Sequence, residues 1–292
     1  MRKARTVLAL AAVVLSAAAC GGLADSGDDG GGDDSARIAH PTGADELVLR
    51  WSYEGGFVPY EYELRRIPNW SLFSDGTIVV QGPMIEIYPP PAWPSLLATR
   101  ISEDGIQAIL REARDAGLMD GDATYGYPCI ADAADTVFTT NAEGGTSVVS
   151  AYALTEGEPG ACGITDVDEE ARAALAGFQG KLGDLSSWLP PGSIGEEEPF
   201  DVRQLRVYVL PYERVPDLPQ TPVAWPLSTP LSDLGEVVPG QAPETRCAVV
   251  SGSELETLRP VAEGTNELTP WASDGDEHRL ILRPLLPDEH GC

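Results

Sequence analysis

Residues 70–81 read WSLFSDGTIVVQ. Two short runs of strand formers, Trp70 to Phe73 and Thr77 to Gln81, flank the turn pair Asp75-Gly76. An Asp-Gly pair adopts positive φ cheaply, so the stretch predicts a tight β-hairpin. Upstream, Leu47 to Tyr53 alternates like a strand, and Tyr60, Tyr62 and Leu64 alternate with Glu61, Glu63 and Arg65 in the same extended pattern. Downstream, Pro89-Pro90-Pro91 and Pro94 mark an irregular crossing. A helix is then expected from a Ser102 cap to a Gly117 stop. Glu103 and Asp104 sit at its positive end, Ile106, Ile109, Leu110 and Ala113 form its apolar face, and Arg111 and Arg114 lie near its negative end.

A second hairpin is predicted over Thr136–Tyr152, turning at Glu143-Gly144-Gly145, and a second helix near Asp168–Trp188. Leu189-Pro190-Pro191-Gly192 followed by Glu196-Glu197-Glu198-Pro199 reads as a linker over 190–199. Beyond it come strands at Leu205–Leu210 and Cys247–Val250. Ser253 and Glu256 suggest a capping box on a short helix limited by Pro260, and a hairpin turns at Asp274-Gly275. The fold class expected is α+β, with antiparallel sheets and two principal amphipathic helices. One α+β domain is assigned to 37–189 and a smaller one to 200–292. Each half runs strand, capped helix, hairpin, as two similar subdomains would.

The N-terminus carries a different signal. Arg2, Lys3 and Arg5 precede an apolar run from Val7 to Leu15, and Ser16-Ala17-Ala18-Ala19 leads to Cys20. A charged start, a short apolar middle and small residues before a cut make an export signal. The run is shorter than the roughly 20 residues that a membrane-crossing helix needs. Ala17-Ala18-Ala19-Cys20 resembles the lipobox of bacterial lipoproteins, although Ala17 stands where leucine is usual. The resemblance implies a signal peptide over 1–19, removal of that segment, and a diacylglyceryl group on the Cys20 thiol. An ordinary signal peptide cut nearby is the alternative. Residues 21–36, GGLADSGDDGGGDDSA, read as an acidic tether with almost nothing to bury. The expected location is the outer face of the cell membrane, with the membrane contacted through lipid at Cys20.

Charge narrows the partners. The chain has 46 Asp and Glu against 19 Lys and Arg, a net −27. Loss of Arg2, Lys3 and Arg5 would take it to about −30. Nucleic acid is disfavoured because phosphate binding needs a basic face. A basic envelope protein would suit such a surface. Lys3 and Lys181 are the only lysines among the 19 basic residues, and in this respect the chain resembles exported lipoproteins of actinobacteria.

Apart from Cys20 there are Cys129, Cys162, Cys247 and Cys292, and export places them where disulfides persist. Four cysteines allow three pairings. Cys129 with Cys162 would staple the open end of the second hairpin, and Cys247 with Cys292 would pin the last residue. No C-x-x-C, H-E-x-x-H, G-x-S-x-G or P-loop occurs. Asp274, Asp276 and His278, with His290, are candidate metal ligands, although Asp274-Gly275 already serves as a turn. Trp51, Trp70, Trp93, Trp188, Trp225 and Trp271 suit sugar stacking, but a core role explains them as well. No catalytic residue and no cofactor is assigned. The expected function is a non-catalytic binding module of the cell envelope. The rival readings are a carboxylate-dependent hydrolase of polysaccharide or peptidoglycan, and a divalent-cation binder.

Overall fold

The hairpin of residues 70–81 lies inside an eight-stranded sheet. The computed structural model describes residues 37–157 and 162–292; Cys20 and the tether lie outside them. The first sheet contains β1 (Leu47–Glu54), β2 (Trp70–Phe73), β3 (Thr77–Gln81), β4 (Leu96–Ile101), β5 (Ala123–Tyr125), β6 (Asp135–Ala142), β7 (Gly145–Tyr152) and β8 (Ile194–Pro199). Their order is β5-β7-β6-β1-β2-β3-β4-β8, antiparallel except for the parallel pair β5–β7. The 190–199 segment, expected as a linker, thus supplies the edge strand β8, paired with β4. At the turn, Gly76 has φ +82°, and a Cβ there would collide with the carbonyl of Ile101. Only glycine fits that approach.

Two helices cover one face of this sheet. In α2 (Glu103–Asp115) the Ser102 side chain accepts from Gly105 N–H, as the sequence predicts. In α3 (Asp166–Leu182) Thr165 accepts from Asp168 N–H, so the helix starts two residues earlier than Asp168. It ends at Leu182, and only a short 3-10 turn, Leu185–Ser187, follows. Ile109 and Leu110 from α2 join Leu175 and Phe178 from α3 over Leu49, Leu72 and Phe138 of the sheet. The buried Arg172 guanidinium ties α3 to strand ends, donating to the carbonyls of Tyr152 (2.8 Å) and Ala153 (2.8 Å). Burial lowers its pKa, opposed by Tyr127 and Glu156, and it remains a cation.

Tyr60–Arg65, expected to be extended, is instead the short helix α1. Tyr60 and Leu64 share a face at i, i+4 and pack on the second sheet, whereas Tyr62 is exposed. Six residues cannot separate a period of two from one of four, and packing decides. Glu61 and Glu63 at its first turn favour the helix dipole.

The second sheet is built from β9 (Gln204–Pro211), β10 (Val223–Ala224), β11 (Glu236–Val237), β12 (Arg246–Ser251), β13 (Pro270–Ser273) and β14 (Asp276–Pro284). Its order is β10-β13-β14-β9-β12-β11, with only β10–β13 parallel. Helix α4 (Gly252–Ala262) covers one face, with Leu255 and Leu258 against Val207, Val209 and Leu282. The expected Ser253 cap does not form. The helix begins at Gly252, and Ser253 lies inside it. Pro260 does not stop it either, because Glu263 N–H still bonds to Arg259 C=O beyond the proline. Trp225 and Trp271 meet edge to face at 5.9 Å within this core. Together the elements form an α+β fold, and Ile38–Cys292 is one compact unit.

Both disulfides join the partners that the hairpin and tail arguments favour: Cys129–Cys162, 33 residues apart, and Cys247–Cys292, 45 apart. The tail is further clamped by charge. Arg283 donates to both oxygens of Glu289, at 2.8 and 2.6 Å, and Asp288 pairs with Arg50 on β1 at 2.7 Å. Burial alone would raise the Glu289 pKa. The Arg283 hydrogen bonds and charge, with Leu286 N–H and Arg50, outweigh it and hold the carboxyl below its ordinary value. A depressed native pKa stabilises the fold fully above the unfolded value of about 4.3 and loses that contribution as pH falls through the native one. Denaturation followed from pH 6 to pH 3 should therefore show stability falling on acidification. Glu289→Gln should flatten that slope, and an unchanged slope would remove Glu289 as a contributor.

Candidate functional site

Three connections leave the first sheet at the same end. They run from β1 to β2 through α1, from β3 to β4, and into β6. The β3–β4 connection, residues 82–95, carries Met84, Ile85, Ile87 and Tyr88 into solvent, with Met84 81 % exposed. Phe57, on the neighbouring connection, is 86 % exposed, and its N–H donates to Asp132 C=O on the third. Large apolar side chains in this density are unusual on so acidic a surface. They are not on a loose loop. Pro91 bridges to Asn266, Ala92 N–H donates to Thr265 C=O, and Glu267 N–H donates to Pro90 C=O. Trp93 lies under the Arg259 guanidinium, 5.4 Å from the ring centre. The prolines make a rigid arch that holds the apolar rim outward.

Behind the rim lies a cleft of about 450 Å³. Tyr62, Met84 and Ile85 form its mouth, Trp93 and Pro90 one wall, and Leu280–Leu282 of β14 the floor. Arg65 and Arg66 contribute its positive charge. Arg65 forms an ion pair with Glu267, and Arg66 pairs with Glu63 at 3.0 Å and lies 5.3 Å from the Tyr62 ring centre. Asn69 and Gln81 brace the floor: Asn69 Oδ1 accepts from Tyr53 N–H (3.2 Å) and Gln81 Nε2 donates to Ile67 C=O (2.7 Å). An apolar cleft with a few placed polar groups is the ordinary form of a binding site.

A larger cavity, about 570 Å³, lies beside β8 and is lined by Asp45, Asp75, Arg100, Glu196, Glu198 and His290 among others. Its carboxylates are partly engaged already. Asp75 accepts from Thr77 N–H (2.9 Å) and pairs with Arg100 (2.9 Å). Glu196 and Glu198 stand on an exposed strand edge. Glu289, the nearby buried carboxyl, is not among the lining residues, and its pKa is lowered and not raised.

The candidate metal ligands do not converge. Asp274 and Gly275 have φ of 53° and 94° and close the β13–β14 hairpin. His278 lies on β14, while His290 lines the 570 Å³ cavity. Among the described residues no group of three or more His, Cys, Asp and Glu is placed to hold a metal ion. Trp70, Trp225 and Trp271 are core residues, and Trp93 alone among the tryptophans lines the 450 Å³ cleft. The cleft itself is not foreseen by the sequence reading. Its available signal is four large apolar residues caught between Pro83 and Pro89, too short a span for an element that could bury them.

Among the described residues no helix is long and apolar enough to cross a membrane. No protein family, no curated protein and no solved structure matches the chain.

Proposed function

We propose that this chain is a lipid-anchored, extracytoplasmic binding module without catalytic activity, anchored at Cys20 and recognising its partner at the cleft and apolar rim. The observation that carries the reading is that rim, a cluster of exposed large apolar side chains on a chain of net charge −27. Its position supports a protein partner over the lipid bilayer. The chain enters the unit at the opposite end of the first sheet, where Ile38 is held by Gln107 and Ala39 C=O accepts from Glu143 N–H. The eight-residue β1 separates the two ends by about 26 Å. Ile38 and the rim thus lie at opposite ends of the first sheet, so attachment through the N-terminal segment leaves the rim free for a protein.

The reading has two separate tests. Cys20→Ser should move the mature protein from the membrane to the soluble fraction, and unchanged fractionation would overturn the anchor. Phe57→Ser combined with Ile85→Ser should abolish recovery of a stoichiometric partner from solubilised envelope while leaving the melting temperature unchanged. Equal recovery by the variant would overturn the binding face. Exposed substitutions of this kind usually change stability by less than about 0.5 kcal/mol, so a loss of partner reports recognition and not folding.

A further inference from the structure

The floor of the cleft is an unfinished sheet edge. Strand β13 pairs with β14 only from Asp276 to Arg279, whereas β9 pairs with it from His278 to Pro284. Leu285 N–H donates to Gln204 C=O, which assigns the odd-numbered positions of this segment to β9. The Asp274-Gly275 turn makes Ser273 and Asp276 the closing bonded pair, so the even-numbered positions face β13. Both registers agree. Past Arg279, β13 has ended at Pro270, and the chain before it turns away: Thr269 N–H bonds to Asn266 C=O and Leu268 N–H to Asn266 Oδ1. Pro270 has no N–H, so its pairing with Arg279 is a non-bonded pair flanked by Leu280 N–H to Thr269 C=O. Beyond it the C=O of Leu280 and both main-chain groups of Leu282 are left without a backbone partner among the described residues, and both residues line the cleft.

The other edges are defended. β8 carries Glu196, Glu197, Glu198 and Pro199, and β5, β10 and β11 have only two or three residues each. Charge, proline and shortness are the usual means of refusing an extra strand. The edge at Leu280–Leu282 is also short, but it carries neither charge nor proline and is walled by apolar and aromatic side chains. The charge at the same cleft is also incomplete. Arg65 Nε and Arg66 Nη1 are shielded from water and have no acceptor among the described residues, although each guanidinium has a carboxylate partner elsewhere.

We infer that the cleft takes an extended peptide segment of a partner protein, apolar and carrying an acidic side chain, which adds to β14 as a short strand. A residue opposite Leu282 would exchange two main-chain hydrogen bonds with it, and the residue two further along, about 7 Å away, would donate a third to Leu280 C=O. Main-chain bonding supplies affinity in such complexes and the side-chain pockets supply selectivity. The carboxylate goes to the unspent arginine donors. This rests on the binding-module reading and specifies its occupant.

Two measurements on the soluble chain test it. In free protein, amide exchange at Leu282 should be faster than at Ile281 and Arg283. Equal protection would mean that the edge is already covered, and would overturn the inference. Next, blocked pentapeptides of Val and Thr, with one Glu moved through every position, are titrated by fluorescence polarisation. At least one should bind below about 1 mM and slow exchange at Leu282. N-methylation of its alternate amides should weaken it about tenfold or more. Arg65→Gln should weaken the Glu peptide and leave its Gln counterpart unchanged. Absence of binding across the panel, or indifference to N-methylation, overturns strand addition. Loss of partner capture in the rim variant would still stand in that case, so the two readings fail separately.

Discussion

Replacing Cys247 and Cys292 together by alanine should lower the melting temperature by about 8–16 °C. The bond closes a loop of 45 residues, and removing such a closure releases the unfolded chain by about 4 kcal/mol. For a fold of this size each kcal/mol corresponds to about 2–4 °C. The Cys129–Cys162 loop, at 33 residues, is worth only about 0.3 kcal/mol less on loop length alone. What distinguishes the two is the folded state. Cys247 is buried among Tyr208, Leu210 and Ile281, and Cys292 belongs to a segment, residues 285–292, that also supplies Leu286 to the core below the first sheet. Scanning calorimetry of the double variant, with amide exchange over residues 285–292, checks the expectation. A shift below 2 °C with an intact exchange pattern would show that the ion pairs hold the tail without the bond.

Local chemistry was legible where one short stretch specifies one element. Asp75-Gly76 and Asp274-Gly275 are turns, Ser102 is a cap, and the face of Ile106, Ile109, Leu110 and Ala113 is the buried face of α2. Reading failed where tertiary packing chooses between local options. Tyr60, Tyr62 and Leu64 fit a strand as well as a helix until the second sheet buries Tyr60 and Leu64 together. Glu196–Pro199 looks like linker because an edge strand defended by charge has a linker's composition. The cleft was the least legible feature. It assembles Arg65, Met84, Trp93 and Leu280 from four separate segments, and its open edge depends on β13 stopping at Pro270. No periodicity within one segment reports where a neighbouring strand ends.

The tail clamp bears on that cleft directly. Arg283 Nε donates to Arg66 C=O at 2.7 Å, so the guanidinium that holds Glu289 also fixes the end of the α1 connection against β14. Its side chain is 8 % exposed and that of Glu289 16 %. Arg283→Met should cost about 3–5 kcal/mol at neutral pH, because it leaves a buried carboxylate with only Leu286 N–H and the more distant Arg50 to oppose the loss of hydration. Adding Glu289→Leu should restore most of that loss, since an apolar pair of similar volume carries no desolvation penalty. The pH dependence gives an independent check through its sign. In the native chain Glu289 titrates below its unfolded value, and acidification destabilises. Without Arg283, burial dominates and the native pKa rises above the unfolded one, so Glu289 then contributes a penalty that sets in as pH climbs through the unfolded value. Between pH 4 and pH 6 the single variant should therefore lose stability with rising pH relative to the native chain. If urea midpoints of the two proteins run parallel across that range, the Arg283–Glu289 pair is not what couples the tail to protonation, and the clamp reduces to the disulfide and the Arg50–Asp288 contact.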